Sequence, residues 1–364
     1  MILYISILLT LLAIVFSKSK LLAKVIFIHM WVLWGWNSWN GDYDAYSNMY
    51  LENSAFSGKL LDYEVGYKLI NYIFSSLGFS FQFFQIIIAF VVLYVIYKIS
   101  SNLVRHIALF SAAYMLIFFM EYVFIRNYIA HALILYGIYL LFNAHDSRRR
   151  FKFFLILVLA TSIHISSIIA FIFLLADKKG KVINLLYFLP VGLVCLFTSI
   201  FLFNSSIGSF FGEQVLLRVE SYQTEGGVSN IFLGHIFIVL LILYYYYSIL
   251  RTGYLTDNEK KIYSIIVNIN ILSLLYLSIY YYIPYFSRAL RMLLTLDLIF
   301  LISTFRYQSI NFKLKMQSRN LVFILIMVIV GLLFSKSTLY LTYTPLMKNN
   351  LIWGDEGYRE VLRD

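Results

Sequence analysis

The chain has 364 residues, of which 61% are hydrophobic and only 13% charged, about half the charged share of a soluble domain. So little polar surface excludes an ordinary water-soluble globule. The net charge of +11 sits in short connectors between apolar runs, where it reads as membrane orientation rather than nucleic-acid binding. A single cysteine, Cys195, excludes an intrachain disulfide.

A spanning helix needs roughly 17–25 apolar residues. The first run, 1–17, is followed by Lys18, Lys20 and Lys24. A cleaved signal has its basic residues first, so this is read as a retained helix with its N-terminus outside. The further segments are 22–36, 81–97, 107–124, 127–143, 153–176, 182–203, 231–250, 262–283, 286–305 and 321–338. The expected fold is therefore all-α: a polytopic integral membrane protein of about 11 hydrophobic segments forming a single membrane-embedded domain over 1–364. Extracytoplasmic loops are expected at 37–80 and 204–230. The first should contain short helices, since Tyr67, Ile70, Ile73, Phe74 and Leu77 follow helical spacing. In the second, 210–222 has the pattern of an amphipathic surface helix ended by Gly226 and Gly227.

Segment 153–176 is flanked on both sides by basic clusters, Arg148–Lys152 and Lys178–Lys181. Both flanks look cytoplasmic. Folding the segment back on itself near Ser162–Ser167 keeps more of the Lys and Arg inside and most of the Asp and Glu outside. A re-entrant hairpin with His164 near its tip is the expected arrangement, since backbone turns occur at membrane depth where they line a protein cavity.

Four clusters carry candidate chemistry. Asp42-Tyr43-Asp44 pairs two carboxylates just after the second segment. Glu64-Val65-Gly66-Tyr67 sets a glutamate at the start of a helix, where the dipole favours it in any case. Arg126 stands between two apolar runs, a costly position for a cation that calls for a partner; Glu121 is the nearby carboxylate, and a bound phosphate is the functional alternative. His164 lies within an apolar segment, and an imidazole titrating near neutrality serves as a general base. Arg288 and Arg291 follow Pro284 and share one helix face, a spacing suited to a diphosphate because guanidinium groups offer bidentate donors. Snorkelling to the interface is the structural alternative. Arg148–Arg150 and Lys313, Lys315 and Arg319 read as inside anchors. P-loop, G-x-S-x-G, H-E-x-x-H and paired C-x-x-C patterns are absent, which removes the sequence basis for ATP hydrolysis, serine-hydrolase chemistry and zinc proteolysis.

In order, Asp42-Tyr43-Asp44-Ala45-Tyr46, Glu64-Val65-Gly66-Tyr67, Arg126-Asn127-Tyr128-Ile129-Ala130 and Leu159–Ser167 resemble the EpsG/Wzy family of bacterial O-antigen and capsular polysaccharide polymerases. The resemblance runs over about 1–300; Asn127 stands where the family often has Gln, and the C-terminal third matches poorly. It implies a membrane GT-C-like glycosyltransferase of the bacterial inner membrane. The substrates would be undecaprenyl-diphosphate-linked oligosaccharides, joined at the extracytoplasmic face with inversion of the anomeric centre. Membrane lipid, a flippase and a chain-length regulator are the implied partners, without nucleic acid, cofactor or metal. Within that frame His164 is the first choice of base and Glu64 the second. Arg126, Arg288 and Arg291 meet the diphosphate, and Asp42 or Asp44 orient sugar hydroxyls.

Three other readings use parts of the same pattern. An O-antigen ligase takes the same donor but a different acceptor. A lipid-linked sugar transporter or flippase would show repeats and broken helices in both halves, and no repeat is found. A membrane O-acyltransferase also uses a histidine but has no need of the arginine set.

Overall fold

The computed structural model describes residues 2–54, 64–119, 121–143, 146–178, 181–184, 230–251, 253–280, 288–305, 320, 323–327, 346 and 348–352. Every regular element among them is helical, and their one β contact is an isolated antiparallel bridge between Asn37 and Asn350. The helices are α1 (Ile2–Val15), α2 (Lys20–Gly35), α3 (Tyr43–Glu52), α4 (Val65–Ser76), α5 (Phe81–Leu103), α6 (Ile107–Phe118), α7 (Ile125–Phe142), α8 (Arg149–Ile163), α9 (Asn230–Leu250), α10 (Asp257–Ser273), α11 (Leu277–Tyr280) and α12 (Arg288–Ser303). The expected amphipathic helix and glycine pair in 204–230, and the segment 182–203 beyond Asn184, lie outside the described residues.

Among the described residues, three stretches are long and apolar enough to cross a membrane: Phe81–Leu103, Ile125–Phe142 and Phe232–Leu250. Helices α1 and α6 are apolar but shorter. The short helices expected in the first loop are α3 and α4; the spacing pointed to α4, and α3 has too few apolar residues to mark its own place.

The chain forms two compact units. The first comprises Met1–Leu140, Phe151–Ile168 and Ser309–Asp364. In it α2 packs along α5 and α6. Residues Ala23, Ile26, Phe27, Met30, Leu33 and Trp34 are buried at the three-and-four spacing of one helix face. Helix α6 is apolar all round, and Ile107–Met115 are all buried, as expected of a central helix. By contrast α1 leaves Leu3, Tyr4, Ile7, Leu8 and Leu11 exposed, and α5 leaves Phe83, Phe90, Val91 and Tyr94 exposed. Apolar faces of that size are stable against lipid, not water.

The last carbonyls of a helix need donors, and at membrane depth water cannot supply them. For α2 they come from α5: Gln85 Nε2 donates to Trp34 O at 2.8 Å and Asn37 O at 3.0 Å, and Gln82 Nε2 to Gly35 O at 2.6 Å. The C-terminal segment returns to the same place. The Ser38 amide donates to Asn349 O at 2.8 Å, the Leu351 amide to Trp36 O at 2.9 Å, and Asn350 Nδ2 to Val32 O at 2.9 Å.

The second unit comprises Leu141–Arg150 and Ile169–Gln308. Helix α10 opens with a capping box between Thr256 and Glu259 and is buried from Tyr263 to Ser273. Its Asn268 bonds Ala176 O, Lys181 O and the Ile183 amide. Arg149 donates to Asp177 Oδ2 from Nε at 2.8 Å, and Arg150 donates to Asp177 O. Between those residues α8 ends at Ile163, and a 3-10 helix runs over Ile165–Leu175. A straight helix of this length would separate its ends by roughly 40 Å. The chain therefore doubles back within 149–177, and the helix breaks at His164.

Candidate active site

The break at His164 exposes backbone as well as a side chain. The His164 amide still bonds Ala160 O at 2.9 Å, but the next amide, Ile165, leaves the helix and donates to Glu64 Oε1 at 3.2 Å. The His164 Nδ1 atom lies 2.8 Å from the same oxygen. The other oxygen, Glu64 Oε2, is paired with Arg126 Nη1. One carboxylate, its side chain 3% exposed, thus links three stretches that are 62 and 100 residues apart in sequence.

Local structure explains how Glu64 reaches this position. It is the N-cap residue of α4, yet its side chain makes no capping bond. Its backbone is left-handed, with φ 57°, and it is the one non-glycine residue with positive φ among those described. That conformation costs about 1–2 kcal/mol for a residue with a Cβ. The carboxylate is turned away from its own helix and into the cluster. Gly66, two residues on, lets α4 approach the end of α8. A Cβ there would collide with Ser162 Oγ and lie 3.0 Å from the Ser162 carbonyl carbon and oxygen. Gly66→Val is expected to force α4 off α8, separating Glu64 from His164 and costing at least tenfold in activity (about 1.4 kcal/mol). Gly78→Ala, which meets nothing within 4 Å but lies at φ 78°, is the comparison: it tests strain in α4's exit turn without touching the cluster. Activity measured at matched membrane levels checks both.

Arg126 lies in the first turn of α7, where the helix dipole opposes a cation. Its guanidinium is held by the Glu64 carboxylate and by two rings, Tyr46 at 5.4 Å and Tyr67 at 6.0 Å from the ring centroids. Such faces attract a cation through the ring quadrupole. Burial lifts the Tyr67 hydroxyl well above its ordinary value of 10.0, so its ring stays neutral.

Burial alone would push the Glu64 carboxyl up. The hydrogen bond to His164, the charge of Arg126 and the Ile165 amide act against it, and Glu64 is held below its ordinary 4.5. With folded pKa depressed, the pairing contributes stability above the ordinary glutamate value and loses it as pH falls through the lower, folded one. Glu64 is therefore ionised at neutral pH and can only accept hydrogen bonds. That fixes the proton of neutral His164 on Nδ1 and leaves the lone pair on Nε2.

Of the residues singled out in the sequence, Glu64, Arg126 and His164 come together. Glu121, the sequence-local partner expected for Arg126, lies 3.3 Å from His131, and Arg126 pairs with Glu64. Asp42 is the half-buried N-cap of α3 and Asp44 is exposed in its first turn. Tyr46 of the same motif lies against Arg126. Arg288 and Arg291 begin α12 in the second unit, and the side chain of Arg288 lies outside the described residues. Among the described residues no three His, Cys, Asp or Glu gather as a metal site would require. Tyr46, Tyr67, Gly66 and the Ile165 amide were missed in the sequence, although Tyr46 and Tyr67 close the D-Y-D-A-Y and E-V-G-Y motifs.

No curated protein and no solved structure matches this chain. The family model described as the EpsG family matches it over residues 20–348.

Proposed function

The chain belongs to the EpsG family, membrane proteins of polysaccharide-polymerase type, and on that premise we propose that it joins undecaprenyl-diphosphate-linked repeat units at the extracytoplasmic face of a bacterial inner membrane. The observation that carries this reading is the shared carboxylate of Glu64, which holds a cation and an oriented histidine side by side.

The reaction needs little more. A hydroxyl of the acceptor sugar attacks the anomeric carbon of the donor. The bond from that carbon to the diphosphate oxygen breaks, and its electron pair leaves with the diphosphate. The hydroxyl proton passes to Nε2 of His164, whose Nδ1–H is held by Glu64. Arg126 faces the charge growing on the diphosphate, the largest single contribution expected in such a step. Attack from the side opposite the leaving group inverts the anomeric centre. Both Glu64 oxygens are engaged, which favours His164 over Glu64 as base and makes Glu64 an orienting residue. We assign Asp42 and Asp44 to sugar hydroxyls. Arg288 and Arg291, on their spacing along one helix face, are assigned to the diphosphate.

The face of the membrane follows from chain path. Residues 37–80 are outside whether 153–176 crosses or folds back. The return of 349–351 to Trp36 and Ser38 supports a tail on that same side, which the folded-back path gives and a single crossing reverses. The Arg149–Asp177 pairing supports the same path. A cysteine at Lys178, in a chain with Cys195 replaced, is expected to resist an impermeant thiol reagent in intact spheroplasts and to react after permeabilisation. Labelling in intact spheroplasts would place that loop outside and reverse every later segment.

Deletion of the gene should leave single-repeat glycans where the wild type makes a ladder, and complementation should restore the ladder. Loss of all glycan from the final acceptor would instead indicate a ligase.

A further inference from the structure

Glu64 has two clients whose needs conflict. Its Oε1 atom serves His164 and the Ile165 amide, while its Oε2 atom occupies Nη1 of Arg126. We propose that Glu64 is a built-in competitor for the donor's diphosphate, holding Arg126 in the free protein and yielding it when the donor binds. This rests on the reading of Arg126 as the cation that meets the diphosphate.

Four observations carry the inference. First, the Tyr46 and Tyr67 rings flank the guanidinium, which restricts the directions from which an anion can reach it. Arginine engages phosphate best through paired, parallel N–H bonds, and one of its terminal nitrogens is already taken. Second, the Glu64 side chain is 3% exposed and that of Arg126 18% exposed. Water screens them little, so a carboxylate and a diphosphate on one guanidinium repel each other strongly. Third, the carboxylate is not stranded when it lets go. The His164 Nδ1 contact at 2.8 Å and the Ile165 amide at 3.2 Å both involve the other oxygen. Fourth, Glu64 sits in a left-handed backbone with no capping bond to its own helix. A strained conformation of this kind persists only while its surroundings hold it, and the Arg126 pair is one of the contacts that do so.

The consequence separates this role from a purely structural one. Removing the charge of Glu64 should remove its competition for Arg126 while leaving His164 poorly oriented. Donor binding and turnover should therefore move in opposite directions. A residue that merely supports the fold would weaken both.

The test uses the full-length protein in nanodiscs, with farnesyl diphosphate as the probe. Binding is measured by calorimetry, and polymer yield on lipid-linked repeat units is measured in parallel. Glu64→Gln is expected to bind the probe about tenfold more tightly, equivalent to roughly 1.4 kcal/mol, while polymer yield falls at least tenfold. Glu64→Ala should show the same tightening, and whichever variant keeps the wild-type melting temperature decides. Equal or weaker binding by that variant overturns the competitor role. The double variant Glu64→Gln with Arg126→Gln should lose the gain. If Arg126→Gln alone binds the probe as the wild type does, Arg126 is not the diphosphate's cation, and the underlying reading falls as well. Arg126-dependent binding without tightening in the Glu64 variants removes only the present inference.

Discussion

Arg126→Gln is expected to abolish long-chain polysaccharide while the protein remains in the membrane at wild-type level. Gln keeps a hydrogen-bonding group beside Glu64 but removes the charge. In acyl-transfer enzymes the loss of one preorganised donor to a developing oxyanion costs about 10²–10³ in rate. A partly buried cation facing a departing diphosphate should cost at least as much. Arg126→Lys should recover little, because an ammonium is a compact charge without the planar fork that arginine presents. The same substitution also leaves Glu64, buried and ionised, without the charge of one of its partners. Membrane level and melting temperature must therefore be read beside the polysaccharide gel. A full ladder from Arg126→Gln would remove the cation from the mechanism.

His164→Gln is the second large effect. Gln can still donate to Glu64 but has no basic nitrogen to take the acceptor's proton. A positioned general base contributes about 10²–10⁴, so polymer yield should fall within that range. Donor binding should change little, because the Arg126 contacts are untouched. That combination distinguishes loss of a base from collapse of the cluster, in which binding would fall too.

The helical character of the described residues was legible from apolar run length, because a segment without water must satisfy its own backbone and so becomes a helix. The position of helix α3 within the first loop was not legible, since its YDAYSNMYLE sequence lacks an apolar face. The doubling back of 149–177 was legible for a different reason: like charges flank both ends of the apolar stretch, and the structure brings Arg149 to Asp177. The site itself was legible one residue at a time. Arg126 and His164 stand out as ionisable groups beside or within apolar runs, and Glu64 as an acid at the start of a helix.

What the sequence did not reveal was their meeting. Contacts spanning 62 and 100 residues have no signature in periodicity, so Arg126 was matched to the nearest carboxylate, Glu121. The role of Gly66 depends on Ser162, 96 residues away, which packs against it. Tyr46 and Tyr67 were hidden among 31 tyrosines, a background too high for any one ring to stand out. The left-handed backbone of Glu64 is a tertiary effect, imposed by the partners that its carboxylate reaches.

The most direct measurement is chain growth by the purified full-length protein in proteoliposomes supplied with lipid-diphosphate-linked repeat units. The expected result is a ladder whose steps equal one repeat unit, with lipid diphosphate released at each step, and no ladder from Arg126→Gln or His164→Gln. Intact single repeats after prolonged incubation with active wild-type protein, or an undiminished ladder from either variant, would contradict the account.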